Sequence, residues 1–192
     1  MQPEHDEILA ALLRSGKEQF LAHGFDRASL RVICRNANVT TGAFYSHFAH
    51  KEDLFCAIVE PTISALKSMS EHVAAQENYT PDNNLKNELA SVAFARAHRD
   101  EIRLLFECSA GTRYADFREQ ILRDYFCPTY RRVLELASHT QVDPDLLRIL
   151  LHMKMVEYKE LIFGDFSPEK IEALVTSLNV FSSDILQHLT DC

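Results

Sequence analysis

The chain has little glycine and little proline. Five glycines and six prolines in 192 residues leave few of the turns that a many-stranded β fold requires, which favours long helices. No apolar run approaches the roughly 18 to 20 residues that a membrane span takes. The opening MQPEHDEILAALL has neither a basic leader region nor a small-residue cleavage site, so a cytoplasmic protein without a membrane partner is expected. The cysteines, at 34, 56, 108, 127 and 192, include no C-x-x-C pair. Buried or free thiols are therefore expected in place of a zinc site or a disulfide framework. None of the nine histidines follows a glutamate by three residues, and no H-E-x-x-H occurs, so no metal site is expected. The chain also lacks G-x-S-x-G, a phosphate loop and a dinucleotide fingerprint, so neither an enzyme nor a cofactor is expected.

Acidic residues are in excess, but unevenly. The net charge of −8 argues against a nucleic-acid partner only when it is averaged over the chain. Residues 1–50 carry five basic side chains (Arg14, Lys17, Arg27, Arg31, Arg35) and five acidic ones (Glu4, Asp6, Glu7, Glu18, Asp26). The whole excess lies in residues 51–192. A neutral head on an acidic body lets the head approach phosphates while the body faces away.

What is present is helical throughout. From His5 to His23, Leu9, Leu13, Gly16 and Phe20 draw one apolar stripe, and Gly24 ends that helix in a left-handed position with Phe25 folding back. Ser29 stands as N-cap of a short second helix whose face is Leu30, Ile33, Cys34 and Ala37, and Asn38 tolerates the positive φ of a tight turn. Thr40 caps a third helix, Thr41 to Phe48. A fourth starts near Lys51 and is expected to kink, or to divide, at Pro61. NYTPDNN, residues 78–84, reads as a loop, and further helices are expected near 84–97, 100–110, 115–138, 144–163 and 168–189. Asp143-Pro144 and Ser167-Pro168 each set a proline at a first helical position, while Pro128 interrupts the 115–138 segment. With no strand pattern, the expected fold class is all-α.

Two short helices joined by a tight turn, the second opening on small polar residues, form a helix-turn-helix, whose second helix enters the DNA major groove N-terminus first. VTTGAFYSHF suits that task. Its hydroxyls bond to phosphates or bases, Gly42 lets backbone approach DNA, and Ala43 or a threonine methyl packs on a thymine methyl. Tyr45 lies one turn from Thr41 with His47 nearby on the outward side, whereas Phe44 and Phe48 point to the core.

The run over roughly residues 8–55 resembles the N-terminal DNA-binding domain of the TetR family of bacterial transcription regulators. The resemblance rests on Leu12, Leu13, Phe20, Gly24, Phe25, Ser29, Arg31, Ile33, Val39, Thr40, Gly42, Phe44, Tyr45, His47, Phe48, Lys51, Glu52 and Leu54. Departures from the family pattern are Gly16 and Cys34 where alanine is usual, Asn38 where the turn has glycine, and His50 where a capping Ser or Asn stands. The third helix also holds no Lys or Arg, which leaves a guanidinium contact to bases to Arg31.

The resemblance implies a three-helix DNA-binding domain over residues 1–50, followed by a larger helical ligand-binding and dimerisation domain over 51–192. The implied function is a dimeric, ligand-responsive repressor of a double-stranded DNA operator, released by a small-molecule effector. Its DNA-binding residues are Ser29, Arg31, Thr40, Thr41, Gly42, Ala43, Tyr45, His47 and Lys51, with Lys51 on a phosphate. The homodimer is expected through the two C-terminal helices, which carry more apolar residues than one buried stripe needs. Pocket candidates in the body are Phe94, Phe106, Cys108, Tyr125, Tyr130, Met153 and Tyr158. Pro61 is the candidate hinge between ligand and DNA. The missing cations of the third helix motivate one alternative, a helical interaction or ligand-sequestering protein whose head has lost operator binding.

Overall fold

The computed structural model describes the backbone of residues 3–78, 80–138, 141 and 143–190, and the side chains of these except 3–5, 137–138 and 182–190. Cys192 lies outside the described residues. The fold is all-α. The helices are α1 (Pro3–Arg27), α2 (Leu30–Asn36), α3 (Thr41–Tyr45), α4 (Lys51–Ala74), α5 (Pro81–Ala97) and α6 (Arg99–Glu107). They continue with α7 (Phe117–Ile121), a π-helical turn over Leu122–Phe126, α8 (Cys127–Ser138), α9 (Pro144–Phe163) and α10 (Pro168–Thr190). Two compact units result, residues 1–65 with 100–119, and residues 66–99 with 120–192.

The first unit is built on aromatic packing. Gly24 takes φ +74, which breaks the helical path and turns Phe25 back onto the helix it follows. Phe20, Phe25 and Phe55 then form a three-ring cluster with centroids 5.3 to 5.7 Å apart. Leu12, Ile33, Phe44, Leu54 and Val59 are fully enclosed around it. Gly16 has a packing reason: a Cβ there would come within 2.7 Å of the Leu54 side chain, which would have to shift to admit alanine. The Ser15 hydroxyl donates to the Ile33 carbonyl at 2.9 Å and ties α1 to α2. Residues 108–116 follow α6 as a loop held to the same unit. Phe25 N–H donates to the Cys108 carbonyl, Arg113 N–H to Glu52 Oε1 at 2.7 Å, and Tyr114 Oη to Glu60 Oε1 at 3.0 Å. Burial and the Glu60 carboxylate push the Tyr114 phenol up to about 12. Lys17 meets Glu101 at 2.7 Å and Asp100 at 3.4 Å.

The second unit packs α5, α8, α9 and α10. Val92, Leu161, Ile171 and Val175 form one buried cluster, and Leu134 with Leu147 another. Asp143 Oδ1 accepts from the N–H groups of Asp145 and Leu146, and Ser167 Oγ accepts from Lys170 N–H. The two proline-marked starts therefore stand where the sequence places them. The start near residue 84 does not. Helix α5 begins at Pro81, with Thr80 Oγ1 accepting from Asn83 N–H at 3.2 Å, so the last four residues of NYTPDNN are helical. It is the same hydroxyl-proline signal, masked by the polar run after it. Helix α4 runs unbroken from Lys51 to Ala74 through Pro61, so no second helix starts at the proline. At Pro128 the chain stays helical, and the turn before it widens to a π-turn. This accommodates the missing N–H and the ring's demand for space against the Asp124 carbonyl.

Candidate nucleic-acid interface and body cavity

In the first unit α2 and α3 are joined by a turn whose pivot is Asn38, at φ +58, the one non-glycine residue with positive φ among those described. Val39 N–H donates to the Cys34 carbonyl at 2.9 Å, closing the turn. Thr40 caps α3, its Oγ1 accepting from Ala43 N–H at 3.1 Å. Ser29 occupies the cap position of α2 without a side-chain cap bond, which leaves its hydroxyl outward. Phe44 is fully buried and packs on Phe48 at 5.5 Å, fixing α3 to the unit. The opposite face is open: Thr40, Thr41, Gly42, Tyr45 and Ser46 are exposed, and Tyr45 stands 59% accessible. Ala43 and His47 are half-buried at the edge of that face, and Arg31 is exposed on α2.

Gly42 is not required by the fold. Its φ is not positive, and a Cβ built there would meet nothing nearer than Thr40 Oγ1 at 3.7 Å. A glycine with open space in front of it, on an exposed helix N-terminus, suits close approach by something outside the chain.

Lys51 is placed differently from its neighbours. Its Nζ donates to the carbonyls of Phe25 at 2.6 Å, Ala28 at 3.0 Å and Asp26 at 3.4 Å, and lies 4.3 Å from the centre of the Phe25 ring. All three donors thus point at the link between α1 and α2. Burial lowers its pKa, against the opposing pull of Asp26. The cap of α4 is supplied by Asp53, whose Oδ2 accepts from His50 N–H at 2.8 Å, so the histidine in the cap position is tolerated.

In the second unit a cavity of about 650 Å³ lies among α8, α9 and α10. Of the pocket candidates, Tyr130 and Met153 line it; Tyr158 does not, and its ring lies 5.3 Å from Lys154 Nζ. Phe94 stacks on His98 at 4.3 Å, and Tyr125 lies under Lys67 at 5.2 Å. Phe106 and Cys108 belong to the first unit, Phe106 packing on Phe117. What sequence reasoning missed is a buried ion cluster at the cavity wall. Lys154 Nζ lies 2.6 Å from Glu88 and 2.9 Å from Glu157. Burial opposes its charge, but Tyr158, Glu88 and Glu157 raise it above the ordinary lysine value. Burial raises Glu157 also, against the lowering pull of Lys154. Ile149, Met153 and Val156 form an exposed apolar stripe on α9, and Val180 and Phe181 are exposed on α10.

Among the described residues no His, Cys, Asp or Glu group could hold a metal ion, and no helix is long and apolar enough to cross a membrane. Cys34, Cys56, Cys108 and Cys127 are free thiols.

An α-helical head that offers a capped, low-profile helix behind a tight turn defines a helix-turn-helix protein. Residues 12–58 match the family model described as "Bacterial regulatory proteins, tetR family". The chain is 36% identical over 59 residues to the HTH-type transcriptional regulator UidR of Escherichia coli K12, a match covering 31% of this chain and 30% of UidR. It is 33% identical over 78 residues to the "Probable acrEF/envCD operon repressor" of the same organism, covering 41% of this chain and 36% of that protein. The matched region thus spans about a third of these relatives' length. The fold extends further. The crystal structure of NalD, the secondary repressor of the MexAB-OprM multidrug efflux pump in Pseudomonas aeruginosa, superposes with a TM-score of 0.64 at 19% identity, over 94% of this chain and 97% of that one. Residues 12–58 are thus similar to the DNA-binding domain of the TetR family of bacterial transcriptional regulators, and the whole chain shares its fold with a solved repressor.

Proposed function

We propose that the protein is a homodimeric, ligand-responsive DNA-binding regulator that represses transcription and leaves its operator when a small molecule enters the body. The single observation that carries this is the outward tip of α3, where Thr40, Thr41, Gly42 and Tyr45 are exposed while Phe44 and Phe48 anchor the helix. DNA contacts are assigned to Ser29, Arg31, Thr40, Thr41, Gly42, Ala43, Tyr45 and His47 within residues 1–50. Free N–H groups and hydroxyls take phosphates, and Arg31 reads a base edge. The body, residues 51–192, holds the effector and joins a second copy through the stripe Ile149, Met153 and Val156 with Val180 and Phe181. The repressor names of two relatives favour repression over activation.

Lys51 is assigned a bracing role, holding the link between α1 and α2 through three carbonyls. A Lys51→Met protein should bind DNA about tenfold more weakly with an unchanged salt slope. A direct phosphate contact would instead remove about 0.9 from the log–log slope for each copy. Pro61 remains the candidate hinge in α4. Pro61→Ala, which restores a helix hydrogen bond, should blunt the effector response, and unchanged affinity with unchanged response excludes the hinge.

Selection of bound duplexes from a random pool tests the function. The expected product is a pseudo-palindrome with half-sites about 34 to 36 Å apart or a multiple of that. Failure to enrich any sequence with a folded, dimeric protein would favour a ligand-sequestering protein whose head no longer binds operators.

A further inference from the structure

The cavity of the second unit carries a charge imbalance that selects its occupant. Its volume, about 650 Å³, lies within the roughly 300 to 1,000 Å³ of small-molecule sites. Leu134, Leu150, Leu174 and Leu178 supply apolar wall, and Tyr130, Phe166 and Phe181 supply aromatic surface. Three ionisable side chains also line it, Lys154, Glu157 and Glu160. Lys154 is already held by Glu157 and by Glu88 behind it, so its ammonium is shared between two carboxylates. One ammonium against Glu88, Glu157 and Glu160 leaves the site negative, and among the described residues no other Lys or Arg lines it. Arg96 donates to the carbonyls of Leu161, Gly164 and Phe166. His152 lies on the rim.

We infer that this cavity binds a lipophilic organic cation, with its charge against Glu157 and Glu160 and its apolar groups against the leucines and aromatic rings. The inference rests on the effector-binding reading above and adds the chemistry of the effector. An anionic ligand would have to take Lys154 from a buried carboxylate and face Glu160, whereas a cation relieves the excess. In a partly desolvated site both the Coulomb attraction and the aromatic faces favour the cation. Met153, Val156 and Phe181 on the rim also belong to the stripe proposed to meet a second copy, so the full-length dimer is the species to titrate.

Tetraphenylphosphonium and tetraphenylborate have nearly the same shape and opposite charge, and triphenylphosphine oxide is a neutral relative. Calorimetric titration of the full chain should show one site per protomer for the phosphonium, at least about tenfold tighter than for the borate. Glu157→Gln leaves a balanced Lys154–Glu88 pair and should fold. It should lose about tenfold in phosphonium affinity with little change for the oxide. Glu160→Gln, at an exposed position, is the second variant and should lose affinity in the same direction. Equal or tighter binding of the borate, or phosphonium affinity unchanged in both variants, overturns the cation assignment while leaving a working effector cavity. Binding of none of the three probes overturns the cavity as an effector site as well.

Discussion

Replacing Lys154 with methionine should destabilise the protein by about 3 to 5 kcal/mol at pH 7. The residue is 8% exposed and its ammonium meets Glu88 at 2.6 Å and Glu157 at 2.9 Å. Methionine fills most of the space but leaves two carboxylates facing each other away from water. Their cost depends on pH with a definite sign. In the variant the folded carboxylates titrate above their unfolded value of about 4.3, so the destabilisation grows as pH rises through and beyond that value. Thermal unfolding at pH 7 and near pH 4.5 should show the variant recovering in acid relative to the parent. In the parent the raised Lys154 pKa keeps its contribution intact at neutral pH, and that contribution fades only as pH climbs through the folded value. Adding Glu88→Gln and Glu157→Gln to Lys154→Met should restore most of the loss. A Lys154→Met protein as stable as the parent at pH 7 would show that the three groups are not buried together.

Gly42→Ala should separate folding from DNA binding. The position has ordinary φ and open space, so alanine fits and gains up to about 1 kcal/mol of helix propensity. The melting temperature should hold or rise slightly. Operator affinity should fall about tenfold or more, which is about 1.4 kcal/mol, because the methyl group stands between the helix N-terminus and the DNA. Gel-shift or anisotropy measurement on the selected operator reads the change. The contrasting variant is Phe44→Ala, which empties a fully buried site and should cost about 3 to 5 kcal/mol, losing DNA binding through unfolding.

The head was largely legible because its determinants are local. Gly24, Asn38, Thr40 and the Phe44/Phe48 pair each act within a few residues, and each is where its chemistry requires. The cap signals at Asp143 and Ser167 worked for the same reason, and Thr80-Pro81 would have worked had its polar neighbours not resembled a loop. What stayed hidden depends on partners far apart in sequence. Nothing around Lys51 shows that its donors close on Phe25, Asp26 and Ala28, some 25 residues earlier. Nothing near Glu52 announces that its carboxylate receives the Arg113 N–H, 61 residues on. The cavity is a similar case. Aromatic and sulfur side chains identify Tyr130 and Met153, but Phe106 and Cys108 carry the same signal in a different unit. The residues that give the cavity its charge read as ordinary surface charge until α5 and α9 pack together. Lys154 and Glu157, three apart, form a common surface pair, and only Glu88 on α5 turns them into a buried cluster.

Salt titration of binding to the selected operator tests the central claim most directly, since α3 has no cation and its hold on DNA must come from hydroxyls, backbone N–H groups and Arg31. The slope of log affinity against log salt should be negative, at about −0.9 for each phosphate contact that displaces a counterion. It should stay shallow because the head offers few charged contacts, and Arg31→Ala should make it shallower still. Affinity that does not change with salt, or no saturable binding by a folded dimer, would contradict a DNA-binding role for the head.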